Sequence, residues 1–118
     1  VLAHLGHVRI PDHDPEPVSA AWGKDDPGPH LWVTLPFDGT PAGIGNGTMV
    51  SFLAASRTAV DAFHATALAM GGSDEGAPGL RPQYGAEFYA GYVRDPDGNK
   101  LNAVCYGPPP DAALDAAP

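Results

Sequence analysis

The sequence predicts an α+β fold, with one helix packed on a single face of a mostly antiparallel sheet. Three observations carry this. Val60, Phe63, Ala67 and Met70 recur at spacings of three and four, which places them on one apolar stripe of a helix. Short apolar or alternating runs lie on both sides of that helix, bounded by Gly, Pro and Asp. Asp97-Gly98 stands between two apolar runs, the signature of a tight hairpin between antiparallel strands.

The elements follow in chain order. Val1-Leu2-Ala3-His4-Leu5-Gly6 reads as the last turn of an amphipathic helix with Gly6 as its stop. A first residue that is not Met, sitting in a helix's final turn, implies that a strand and most of a helix precede it. Residues 7–10 form a short strand. Residues 11–17, rich in Pro and Asp, form a loop. Residues 18–23 and 30–37 are strands joined by a turn at 24–29, and β-branched and aromatic residues mark the second. Residues 38–47 hold Gly39, Gly43, Gly45 and Gly47, and read as a linker. No βα context or lysine accompanies these glycines, so they are not a phosphate loop.

Residues 48–54 form a central strand. Ser56 caps a helix over 57–70, and Gly71-Gly72 ends it. Residues 73–79 read as a loop. Residues 80–84 lead into a strand at 87–93, and the last strand covers 101–106. Residues 108–118 form a Pro/Ala/Asp tail expected to be disordered. By period-two alternation, Leu101, Ala103 and Cys105 lie under the helix, and Asn102, Val104 and Tyr106 face away. On the central strand Val50 and Phe52 face the helix, and Met49 and Ser51 face the opposite, concave side.

With 118 residues the chain is one domain with one core. Its formal net charge of −8 disfavours nucleic acid and anionic membrane surfaces as partners. No apolar run is long enough to span a membrane, and no signal peptide is visible. Cys105 is the single cysteine, in an apolar run, so neither an intrachain disulfide nor a Cys-based zinc site is expected. These features fit a cytoplasmic protein.

The stretch from Gly47 to Tyr106 carries a "GT-x-V-x-F" strand, then "AVDAFHATALAMGG", "GAPGLRPQY" and "RDPDGNKLNAVCY". This ordered set resembles the second βαβββ module of the vicinal-oxygen-chelate superfamily, the glyoxalase, bleomycin-resistance and extradiol dioxygenase group. The resemblance implies a curved, mostly antiparallel sheet with a concave cavity. Residues 1–47 would be the remains of a first module plus linker, truncated at its N-terminus. Residues 48–107 would be the second module and 108–118 a flexible tail.

In metal-binding members of that superfamily this module supplies a His near the start of its first strand and a Glu on its last. Those positions fall here on Met49 and Asn102. Of the first-module ligands, one lies on a strand this chain lacks. The other lies on the strand HLWVTLPF, where neither Val33 nor Thr34 is a carboxylate. A thioether is too soft for magnesium, manganese or iron(II), and a neutral amide brings no charge to a cation. His4, His7, His13, His30 and His64 show neither His-x-His nor His-x-x-x-His spacing, and each reads as exposed or locally hydrogen-bonded. A substitute site built on His30 and a carboxylate is the remaining route to a metal.

Tyr84, Phe88, Tyr89, Tyr92, Tyr106, Trp22 and Trp32 are many aromatics for so small a sheet, and half or more should be core. The rest would line an apolar pocket. The reading that follows is a metal-free protein binding a small, aromatic molecule on the concave sheet through Met49, Ser51, Asn102, Tyr106, Trp32 and Arg81, without a cofactor. The alternatives are a metal-dependent lyase or dioxygenase with non-standard ligands, and a degenerate member without a ligand. Acidic net charge favours a cationic or neutral ligand, and Arg81 alone points to an anionic one. Exposed edge strands and an unclosed sheet point to a homodimer.

Overall fold

A computed structural model describes residues 1–12, 19–25 and 28–107. The expected loop at 11–17 lies mostly outside the described residues, and the expected tail at 108–118 wholly so. A short 3-10 turn, Leu2–Leu5, opens the chain and stops at Gly6, whose φ is 82°. Strands β1 (Val8–Ile10), β2 (Ser19–Gly23) and β3 (His30–Thr34) follow, then β4 (Met49–Leu53) and helix α1 (Arg57–Ala69). The chain continues through β5 (Ser73–Leu80), a 3-10 turn at Pro82–Tyr84, β6 (Tyr89–Arg94) and β7 (Lys100–Cys105).

The architecture is α+β, as expected. Among the described residues the strands fall into two sheets. One has the order β1-β2-β3 and the other β4-β7-β6-β5. Neighbours are antiparallel except β4 and β7, which run parallel.

Helix α1 starts where Ser56 Oγ accepts the Ala59 N–H at 3.1 Å. Its apolar stripe packs on the four-stranded sheet. Val60 and Phe63 are fully buried, with Phe52, Val93, Ala103 and Cys105 around them. Each such large side chain contributes about 1.5–3 kcal/mol by leaving water. The stripe is one residue shorter than expected. Met70 caps the helix and is 71% exposed, because the chain turns away into Gly71 there.

Two further expectations are corrected. Residues 73–79 are not a loop but most of β5, an edge strand with register shifts between Asp74 and Gly76 and between Gly76 and Gly79. Its backbone pairs with β6, so it needs no apolar alternation, and the bulges accommodate its glycines and Pro78. None of the seven aromatics singled out is fully buried. The core aromatics are Phe52 and Phe63, and aliphatic side chains complete it. The hairpin after β6 is built as the sequence implies. Asp95 Oδ1 accepts the N–H groups of Asp97 and Asn99 at 3.0 and 2.8 Å, and Gly98 adopts φ 91°. A Cβ at Gly98 would stand 2.6 Å from Ile44 Cδ1.

Candidate functional site

Strand register defines the face of the four-stranded sheet that is turned away from α1. Ser51 pairs with Asn102, and Asn102 with Tyr92, making one row across β4, β7 and β6. Met49 pairs with Lys100 and Lys100 with Arg94 in the next row on the same face. The helix side carries Phe52, Ala103, Cys105 and Val93. The alternation read from the sequence therefore holds along β4 and β7.

Asn102 is the unusual residue of this face. It is only 2% exposed, and its Oδ1 is buried without a hydrogen-bond partner. A buried acceptor left unpaired costs about 1–3 kcal/mol. Its neighbours Ser51 and Met49 are exposed, Met49 at 42%.

Beside this row lies a group of cations that the fold assembles from distant segments. The Arg81 guanidinium sits 5.4 Å from the Tyr92 ring centroid, and Lys100 Nζ sits 5.8 Å from the same centroid. Arg81 also donates from Nη2 to the Ala77 carbonyl at 2.9 Å. It lies against the backbone of Gly76 and Gly79, where a Cβ would come within 3.2 Å of its Nη atoms. These glycines are what let the guanidinium settle over β5. Arg81, Lys100, Tyr92, Glu75, Gln83 and Tyr84 line one cavity of about 250 Å³. Glu75 is engaged by Arg94, whose Nε donates to it at 2.8 Å. Tyr84 continues into an aromatic row, with Phe88 at 5.3 Å and Tyr106 a further 5.4 Å on.

Five of the six residues expected to bind a ligand thus belong to this face or its rim. Met49, Ser51 and Asn102 share it by register, Arg81 covers Tyr92, and Tyr106 closes the aromatic row. Trp32 does not join them. It is on β3 of the other sheet and lines a larger cavity of about 570 Å³ on the helix side. Leu2, Leu31, Val50, Ala67 and Leu101 also line that cavity. Sequence reasoning missed Lys100, and it named Tyr92 and Tyr84 only among the aromatics to be shared between core and pocket. Lys100 was within reach of it, since it lies two residues before Asn102 on the same strand.

The residues on this face do not fit a divalent metal. Among the described residues no group of three His, Cys, Asp or Glu converges. Met49 and Asn102, diagonal neighbours across the β4–β7 ladder, offer a thioether and an amide. Neither brings the negative charge that would offset a divalent ion. His30 Nε2 lies 2.9 Å from the Asp25 carbonyl oxygen.

The perturbed titratable groups mostly serve the helix side. Tyr89 donates its hydroxyl to Asp61 Oδ1 at 2.6 Å, clasping β6 to α1. Burial, then that hydrogen bond, pushes its pKa up to about 12. Buried His64 Nε2 donates to Asp74 Oδ1 at 2.9 Å, which with the Gly76 N–H holds the Asp74 carboxyl below its ordinary range. Partial burial, and then Lys24, lowers the pKa of His7, which stands edge-on to Phe52 at 5.4 Å.

The family model described as Glyoxalase/Bleomycin resistance protein/Dioxygenase superfamily matches residues 4–103. The chain belongs to this superfamily. Its similarity to a solved glyoxalase/bleomycin resistance protein from Albidiferax ferrireducens T118 reaches 35% identity, with a TM-score of 0.71, over 88% of this chain and 79% of that one. A glyoxalase-related enzyme from Fulvimarina pelagi shares the fold at 19% identity and TM-score 0.63, over 87% of this chain and 76% of that one. A family enzyme from Burkholderia phytofirmans PsJN does so at 18% identity and TM-score 0.62, over 90% and 84% of the two chains. No curated protein matches the chain. Among the described residues, no helix of this superfamily member is long and apolar enough to cross a membrane.

Proposed function

We propose that this superfamily member is a metal-free binding protein that takes a small aromatic molecule on the open face of the β4-β7-β6-β5 sheet. One observation carries the reading. The buried Asn102 Oδ1 has no partner, and it stands where metal-binding relatives, by resemblance, place a carboxylate. A buried acceptor of this kind is costly to keep, and a ligand that uncovers it and donates to it would recover the cost. Met49 beside it offers polarizable apolar surface suited to a ring, and Ser51 offers a hydroxyl. Exposed Leu53 and the unpaired outer edge of β4 support a homodimer in which a second copy covers that margin. The compartment we assign is the cytoplasm.

The test is a backbone-amide NMR titration of the dialysed protein with small aromatic compounds, alongside elemental analysis for metals. The expected result is a shift confined to residues around Ser51, Tyr92 and Asn102 in protein without metal. A stoichiometric divalent ion whose removal abolishes binding would restore the metal-dependent lyase or dioxygenase reading. Shifts confined to the helix-side cavity around Leu31 and Val50 would move the site off this face.

A further inference from the structure

We infer that the molecule bound on this face is an anion, an aromatic carboxylate whose charged group is held between Arg81 and Lys100. The inference rests on the open-face reading above and specifies its chemistry. Two like charges are gathered at one ring, with Arg81 at 5.4 Å and Lys100 at 5.8 Å from the Tyr92 centroid. The negative face of the ring offsets part of their repulsion. A carboxylate would offset the rest. Among the described residues Lys100 has no carboxylate partner, and Arg81 is held by carbonyl oxygens. The one carboxylate lining the cavity, Glu75, is taken by Arg94. Among the described residues neither cation lining the cavity is ion-paired.

The surroundings set the rest of the ligand. The carboxylate would sit in an open cavity of about 250 Å³, large enough for a small molecule. Tyr84 forms one wall and leads to Phe88 and Tyr106, an apolar aromatic row on which a ring can lie. Asn102 pairs across the ladder with Tyr92, which lines the cationic cavity, while its own Oδ1 is buried. A guanidinium and an ammonium recognise the same oxygens differently, Arg81 as a fork and Lys100 as a point charge.

Three probes of one shape separate the possibilities: benzoate, benzamide and benzylamine, titrated against the full chain and followed by backbone-amide NMR. Benzoate is expected to shift residues around Tyr92, Lys100 and Asn102 and to bind about tenfold more tightly than benzamide, as one charge-assisted hydrogen bond gives. Lys100→Gln should remove most of that preference. The half-exposed lysine makes no contact the core depends on, and Arg81→Gln is the second variant. Added salt should weaken benzoate and not benzamide. If benzamide binds at this face as tightly as benzoate, or benzylamine more tightly, the anion is wrong and the open-face reading stands. If benzoate shifts no residue of this face and benzamide shifts none, both fall. A preference for benzoate that survives Lys100→Gln and Arg81→Gln together would also overturn the assignment.

Discussion

Replacing Asn102 by leucine should stabilise the protein, although Asn102 is among its most buried residues. Its side chain is 2% exposed and its Oδ1 makes no hydrogen bond. The folded state therefore bears the desolvation of that acceptor, about 1–3 kcal/mol, with no bond in return. Asn102→Leu removes the acceptor and adds apolar burial. Leucine is somewhat larger, and overfilling a packed site costs on the order of 1 kcal/mol at the least. Here one flank is the small, exposed Ser51, which leaves room. The net expectation is a gain of about 1–2 kcal/mol, or roughly 4–8 °C in Tm for a domain of this size. Urea and thermal melts of the ligand-free protein measure it directly. The same variant should lose ligand binding, because the acceptor that meets the ligand's donor has gone. A Tm that falls would refute the reasoning, since it would mean that Oδ1 is satisfied in solution.

Phe63→Ala should cost about 3–5 kcal/mol in chemical denaturation, because Phe63 is fully buried at the centre of the helix–sheet core. Tyr89, with a folded-state pKa of about 12 raised by burial and then by its bond to Asp61, stabilises the fold fully below pH ~10 and loses that contribution as pH rises toward 12. Tyr89→Phe should flatten this alkaline limb of the stability curve. Asp74 has the opposite sign. Its pKa is lowered by the His64 hydrogen bond and then by the Gly76 N–H, so its contribution is present above the ordinary carboxylate range and fades as pH falls through the lowered value. Asp74→Asn should therefore reduce the loss of stability in acid, read as a smaller change in urea midpoint between neutral and acid pH.

The second half of the chain was legible because its signals are local. Ser56, the stripe Val60–Phe63–Ala67, and Asp97-Gly98 each specify geometry within a few residues. The face assignment of Met49, Ser51 and Asn102 followed from period two alone. What escaped is set by distant pairing. Residues 73–79 carry no strand pattern of their own, and become β5 because β6 supplies backbone partners. The exposure of the seven aromatics could not be read either. Alternation tells which side a residue faces, and not whether anything covers that side. The cationic cavity is of the same kind. Arg81 and Lys100 are nineteen positions apart and meet only because β5, β6 and β7 align Gly76, Tyr92 and Asn102 across the sheet.

Net charge and the local arrangement of charge point to different ligands. A balance of −8 argues for a cationic or neutral ligand when it is spread evenly over the surface. The chain has six basic residues, and three of them, Arg81, Arg94 and Lys100, are on or against the open face of one sheet. At physiological ionic strength, charges more than about 8 Å away are largely screened, so the bound ligand senses the residues in contact with it rather than the total. On the proposed reading the scattered carboxylates would affect how fast an anion arrives, and Arg81 and Lys100 would decide whether it stays. On the proposed metal-free reading the same separation takes the place of a metal. A divalent ion concentrates positive charge at one point on the sheet. Here two side chains over one tyrosine place it beside Asn102, where no ligand has to be deprotonated for it to be present.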